Sequence, residues 1–218
     1  MKKKTAKNSL TELVFILDKS GSMAPLAADT VGGFNTMLAQ QREVEGDALV
    51  TTVLFSSETE LLHDRLPLAD VAPLTGKDYR PLGCTALLDA IGETVERVAL
   101  IQKHQRPEDR PARTLVAITT DGMENASRRF GSDRVKRMIK EKEDEGWEFL
   151  FLAANIDAVE TAERIGIRAD RAANYSATED GTERLFHTVG NAFKYMRCMD
   201  DMELPEDWAD SLDGDEEE

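Results

Sequence analysis

The feature that most narrows the fold is the run Glu-Leu-Val-Phe-Ile-Leu-Asp at residues 12–18. Its apolar side chains are consecutive, not alternating, so a strand built from it buries both faces. Such strands belong to parallel sheets covered by helices on each side. Similar runs recur at 48–55, 114–119 and 148–153. Between them lie helical patterns at about 25–44, 86–102, 132–145, 159–165 and 182–197. In the first, Leu26, Val31, Phe34, Met37 and Leu38 recur at helical spacing; in the second, Leu87, Ile91, Val95 and Val98 do. Gly46, Gly146 and Gly166 close three of these elements. Residues 59–66 follow the second strand so closely that the pair is expected to form an antiparallel hairpin at a sheet edge. Residues 172–175 offer a sixth strand. The order predicts a three-layer, Rossmann-like α/β domain with a mostly parallel central sheet, one antiparallel edge strand and helices on both faces.

Charge sets the domain limits. The 218 residues carry 42 acids and 27 bases, a formal charge of −15. Residues 200–218 hold eleven of the acids and no base, which leaves 31 against 27 over residues 1–199. The expectation is a folded domain over 10–199, a disordered basic start over 1–9 and a disordered acidic tail over 200–218. A surface of this sign disfavours nucleic acid and anionic lipid as partners. No apolar run approaches the roughly 20 residues that cross a bilayer. The start lacks the apolar stretch of a secretory leader, and Cys84 and Cys198 form no disulfide framework, so a cytoplasmic setting with free thiols is expected.

In a sheet of this kind ligands sit beyond the carboxyl ends of the strands, where the connections diverge. Three segments deliver polar residues there. Asp18-Lys19-Ser20-Gly21-Ser22 follows the first strand, Thr120-Asp121-Gly122 follows the fourth, and Gly83-Cys84-Thr85 precedes the second long helix. Asp18, Ser20, Ser22, Thr85 and Asp121 are hard oxygen donors, which favour Mg²⁺, Mn²⁺ or Ca²⁺ over zinc or copper. Two charges and three hydroxyls make an open site, suited to an ion that keeps waters and a position for an outside oxygen. Gly21 and Gly122 are expected to let the backbone turn sharply beneath it.

The set Asp18-x-Ser20-x-Ser22, then Thr85, then Asp121-Gly122 resembles the metal-ion-dependent adhesion site of von Willebrand factor type A domains. The intervals, 63 residues from Ser22 to Thr85 and 36 from Thr85 to Asp121, are similar too. The resemblance covers about residues 10–198 and departs from the family pattern at none of the five positions. It implies that Ser20 and Ser22 bind the ion directly, Thr85 directly or through water, and Asp18 and Asp121 mostly through water. It also implies that an Asp or Glu of a partner protein completes the shell. Lacking the disulfides and extra calcium loops of secreted members, the chain is similar to intracellular bacterial members. That group is associated with complex assembly, ATPase partners and stress or defence gene clusters.

The alternatives are specific. Ser20 and Ser22 can be read as caps of the first helix, Thr85 as the cap of the second, and Glu124 and Asn125 as a solvated loop. Lys19 is read as pointing to solvent or meeting an incoming acid, and Cys84 as a small buried residue. A phosphatase of the haloacid dehalogenase type needs an acid where Ser20 stands. No Gly-x-Ser-x-Gly elbow, no Gly-Lys phosphate loop and no paired base and nucleophile is present, so no enzyme activity is expected. A metal-independent scaffold role stays open. The acidic tail, with Trp208 among its acids, is read either as a ligand for the domain's own site or as a solubilising end.

Overall fold

The computed structural model describes residues 10–199 and 203–212. The run that opens the sequence forms β1 (Thr11–Asp18), buried at every position. The remaining strands are β2 (Ala48–Phe55), β3 (Thr59–Pro67), β4 (Arg113–Thr120), β5 (Trp147–Ala153) and β6 (Ala172–Asn174). They form one sheet in the order β3-β2-β1-β4-β5-β6. Only β3 is antiparallel to its neighbour, and it lies at an edge, as the short 56–58 connection requires.

Five helices cover the sheet: α1 (Ala27–Arg42), α2 (Leu87–His104), α3 (Ser132–Asp144), α4 (Ala158–Ile165) and α5 (Glu179–Cys198). The pleat of β1 shows why its run is unbroken. Leu13, Phe15 and Leu17 pack in a core shared with α1 and α5, through Phe34, Met37, Phe186 and Phe193. Val14 and Ile16 point the other way, into a core shared with α2, α3 and α4, through Ile91, Val135 and Ala162. Helix α1 starts later than its periodicity suggests. A 3₁₀ segment, Gly21–Leu26, with Pro25 inside it, leads into the α-helix. Helix α5 starts earlier, because the Thr178 hydroxyl accepts from the Gly181 N–H. Among the described residues no helix is long and apolar enough to cross a membrane.

The strand order reverses between β1 and β4. The chain leaves β1 through α1 toward β2 on one side, and leaves β4 through α3 toward β5 on the other. Their parallel register sets Leu17 beside Thr119 and so brings Asp18 and Thr120 to the same rim. That junction is where the two connections part and a crevice opens.

The acidic end touches the domain where it is described, over 203–212. Leu204, Trp208 and Ala209 pack onto the core beneath α1 and α5, and Leu212 is 3% exposed within it. Trp208 Nε1 donates to the Asp170 carbonyl at 3.0 Å, and the Thr188 and Ser211 hydroxyls lie 2.7 Å apart. Glu203 lies 3.5 Å from Arg171 and 3.8 Å from Arg168. Leu204, Trp208 and Leu212 each meet the core from a stretch of turns, a pattern that net charge alone obscures. Residues 1–9, 200–202 and 213–218, on which the rest of the disorder expectation falls, lie outside the described residues. Leu212→Ala should lower unfolding free energy by about 2 kcal/mol in urea denaturation; an unchanged midpoint would show that this segment contributes nothing to the fold.

Candidate metal centre

The five residues read from the sequence come together at the β1–β4 rim. Asp18 ends β1 and is buried. Its Oδ1 accepts from the Ser20 N–H at 2.7 Å, and its Oδ2 from the Thr120 hydroxyl at 2.6 Å. The buried Tyr79 hydroxyl donates to the Asp18 carbonyl. Ser20 and Ser22 Oγ lie 3.1 Å apart, and Ser22 Oγ donates to Asp121 Oδ1 at 2.7 Å. Neither serine caps the 3₁₀ segment that follows, although Ser20 stands at its N-cap, so the capping alternative is not realised. The Gly122 backbone lies against Thr85 and Ser22: a Cβ there would stand 3.9 Å from Thr85 Oγ1 and 4.0 Å from Ser22 Oγ.

The loop carrying Asp121 is fixed to α2 from outside the helix. Thr85 does not cap α2 with its side chain; Ala86 is the N-cap residue. The first free N–H groups are taken by the other loop: Leu88 donates to Glu124 Oε2 at 2.9 Å and Asp89 to Ser127 Oγ at 3.0 Å. Asn125 Oδ1 accepts from the Thr85 N–H at 2.9 Å, and the Thr85 carbonyl accepts from Asn125 and Ala126. In return the Asp89 carboxylate accepts the backbone N–H groups of Arg128, Arg129 and Phe130. Phe130 then lies so close over Gly92 that a Cβ would stand 2.2 Å from its ring. Glu124 and Asn125 therefore tie the loop to the start of α2, although Asn125 is itself exposed. Asn155, in the left-handed region at φ 58°, donates to the Asp121 carbonyl at 3.2 Å.

Two further expectations change. The sharp backbone turn falls to Gly83, at φ 87°, and neither Gly21 nor Gly122 has a positive φ. Gly83 O accepts from the Gly21 N–H at 3.0 Å, which ties the third loop to the first. Cys84 is exposed, not buried. Lys19 is ion-paired with Glu60. Trp147 opens β5 and is core. Tyr79 and Asn155 carry no sequence signal for the site, and Thr120 stands in the rim segment without being one of the five donors. Thr120 had a signal, since it precedes Asp121 directly, whereas Tyr79 and Asn155 reach the site only through tertiary packing.

Burial pushes the Asp18 carboxyl above its usual range; the hydrogen bonds from Thr120 and Ser20 oppose this, and the charge of Asp121 adds to it. Both carboxylates are buried, while Ser22 beside them is exposed. Among the described residues no group of three or more His, Cys, Asp or Glu side chains is placed to hold a metal. Any cation here would rest on two carboxylates and three hydroxyls, a donor set for a hard ion.

The architecture is the three-layer fold of von Willebrand factor type A domains, and solved structures bear this out at the level of the fold. The chain is similar to a von Willebrand factor type A protein from Catenulispora acidiphila, with 14% identity, a TM-score of 0.54, and coverage of 83% of this chain and 41% of that one. It is similar to proximal thread matrix protein 1 from the mussel byssus, in a form with a zinc-occupied MIDAS motif, at 14% identity and TM-score 0.58. That match covers 84% of this chain and 46% of the mussel protein, so the chain spans under half of its length. The manganese-loaded TRAP protein of Plasmodium vivax aligns at 16% identity and TM-score 0.52, over 82% of this chain and 72% of that one. No protein-family model and no curated protein matches the sequence.

Thr120→Val keeps the side chain's shape but leaves Asp18 Oδ2 without its hydroxyl donor. It should destabilise the domain by about 1–3 kcal/mol, read as a shift in urea midpoint; a variant as stable as the wild type would show that this hydrogen bond does not hold the rim.

Proposed function

We propose that the chain is a non-enzymatic, divalent-cation-dependent protein-binding module. Asp18, Ser20, Ser22, Thr85 and Asp121 would hold Mg²⁺, or Mn²⁺ or Ca²⁺ in its place. When bound, the ion supplies a positive, incompletely coordinated centre that attracts an Asp or Glu of a partner protein.

The spacing of the donor oxygens carries this reading. Neighbouring ligands of an octahedral ion at about 2.1 Å from it stand about 3.0 Å apart. Ser20 Oγ and Ser22 Oγ are 3.1 Å apart, and Ser22 Oγ and Asp121 Oδ1 are 2.7 Å apart. The serine hydroxyls are not consumed as helix caps. Both oxygens of Asp18 are engaged by Ser20 and Thr120, which suits a carboxylate that orders the shell and lends it charge. The metal-bearing mussel and Plasmodium structures with this fold support a divalent ion in general. The exposed thiols of Cys84 and Cys198 support a reducing, cytoplasmic setting.

Calorimetric titration of Mg²⁺ and Mn²⁺ tests the proposal. The wild type should give one saturable site, and Ser20→Ala/Ser22→Ala should weaken it on the order of tenfold or more. Equal heats from the two folded proteins would end the proposal.

A further inference from the structure

The two most exposed large apolar side chains of the described residues both belong to the loops that form the site. Leu82 is 77% exposed and Met123 is 68% exposed, above Leu100, Met199 and the rest. Single exposed apolar residues are ordinary on a protein surface. These two are not scattered. Leu82 precedes Gly83, whose carbonyl is bonded to Gly21, and Leu82 itself donates its N–H to the Lys19 carbonyl at 2.9 Å. Met123 follows Gly122, where an added Cβ would stand 3.9 Å from Thr85 Oγ1 and 4.0 Å from Ser22 Oγ. Neither belongs to the buried residues of the two cores. Both loops are held by the hydrogen bonds already described, so the backbone from which these side chains project is fixed.

The same loops also carry cations. Arg80 stands two residues before Leu82, and Arg128 five after Met123; both are exposed. Among the described residues neither is in an ion pair, unlike Arg129, which is paired with Glu93. Arg128 and Cys84 line one groove of about 850 Å³ that begins beside Thr85. Each loop therefore presents an oxygen donor, an apolar side chain and an unpaired guanidinium, in a rim whose centre seeks an anion.

We propose that Leu82 and Met123 select the partner: the carboxylate that reaches the ion must come from an Asp or Glu flanked by aliphatic residues in an exposed segment. This rests on the metal reading above and names the chemistry of its partner. An acid in a purely polar setting would meet the ion yet leave both apolar side chains in water. An acid between aliphatic residues would cover them, and the flexible Met side chain adapts its shape to the contact. The charge of the acid matches the ion and the two arginines. A hydrophobic segment with no acid gains the apolar contact but not the ion.

The test is an NMR titration of the full ¹⁵N-labelled chain, saturated with Mg²⁺, with three capped tripeptides: Leu-Glu-Leu, Gly-Glu-Gly and Leu-Gln-Leu. Leu-Glu-Leu should bind about tenfold more tightly than Gly-Glu-Gly, since covering part of two aliphatic side chains is worth about that factor. Leu-Gln-Leu should not shift the site's resonances. Leu82→Ser/Met123→Ser, both at exposed positions, should bring the two glutamate peptides within twofold while leaving Mg²⁺ affinity unchanged. Equal affinities for the two glutamate peptides in a wild type that binds Mg²⁺ would overturn this inference alone, as would a preference that survives in the variant or binding of Leu-Gln-Leu as tight as that of Leu-Glu-Leu. A wild type that binds no Mg²⁺ overturns the metal reading and this inference with it.

Discussion

The rest of the rim depends on holding two carboxylates, Asp18 and Asp121, buried at the ends of neighbouring parallel strands. Removing a carboxylate from water costs several kcal/mol, and each charge-assisted hydrogen bond returns about 1.5–3 kcal/mol. Asp18 has two such bonds, to Ser20 and Thr120, and its carboxyl is still pushed above its usual range by burial, with Asp121 adding to the effect. Local hydrogen bonding thus leaves part of the cost standing. A divalent cation among the hydroxyls would offset desolvation and mutual repulsion at once.

That constraint explains the surrounding construction. Three loops from separate parts of the chain must be held to within a few tenths of an ångström, and none is stabilised by its own sequence alone. Glu124 and Ser127 satisfy the start of α2, Asp89 gathers three N–H groups of the opposing loop, and Phe130 closes over Gly92. The result is a rigid, polar rim on two buried apolar layers. Asp18 and Asp121 meet at the place where the strand order reverses.

Much of this was legible. The unbroken apolar run of residues 12–18 fixed a doubly buried strand, and the spacing of Asp18, Ser20, Ser22, Thr85 and Asp121 located the rim. The strand boundaries followed because Gly, Pro and charge punctuate each run. The supporting residues were harder. Glu124 and Asn125 look like any polar loop until α2 is placed beneath them, and Tyr79 lies 61 residues from the carbonyl it binds. Cys84 is exposed because it belongs to the exposed loop before α2 and not to the buried start of the helix. At the acidic end, net charge hides the few apolar residues that meet the domain. Leu204, Trp208 and Leu212 lie on the domain while most of their acidic neighbours face water, and Glu203 meets Arg168 and Arg171 beside the amino end of β6, away from the site. Any role of the tail as a ligand for the site falls on residues 213–218, outside the described residues.

The rim's oxygens are proposed to form a coordination shell. The most direct measurement is the anomalous scattering of Mn²⁺ in a crystal of the full chain grown or soaked with that ion. The account predicts a single strong peak about 2.2 Å from both Ser20 Oγ and Ser22 Oγ, with Thr85, Asp18 and Asp121 around it. A peak elsewhere, or a rim in which the two serines keep their present hydrogen bonds at saturating Mn²⁺, would contradict it.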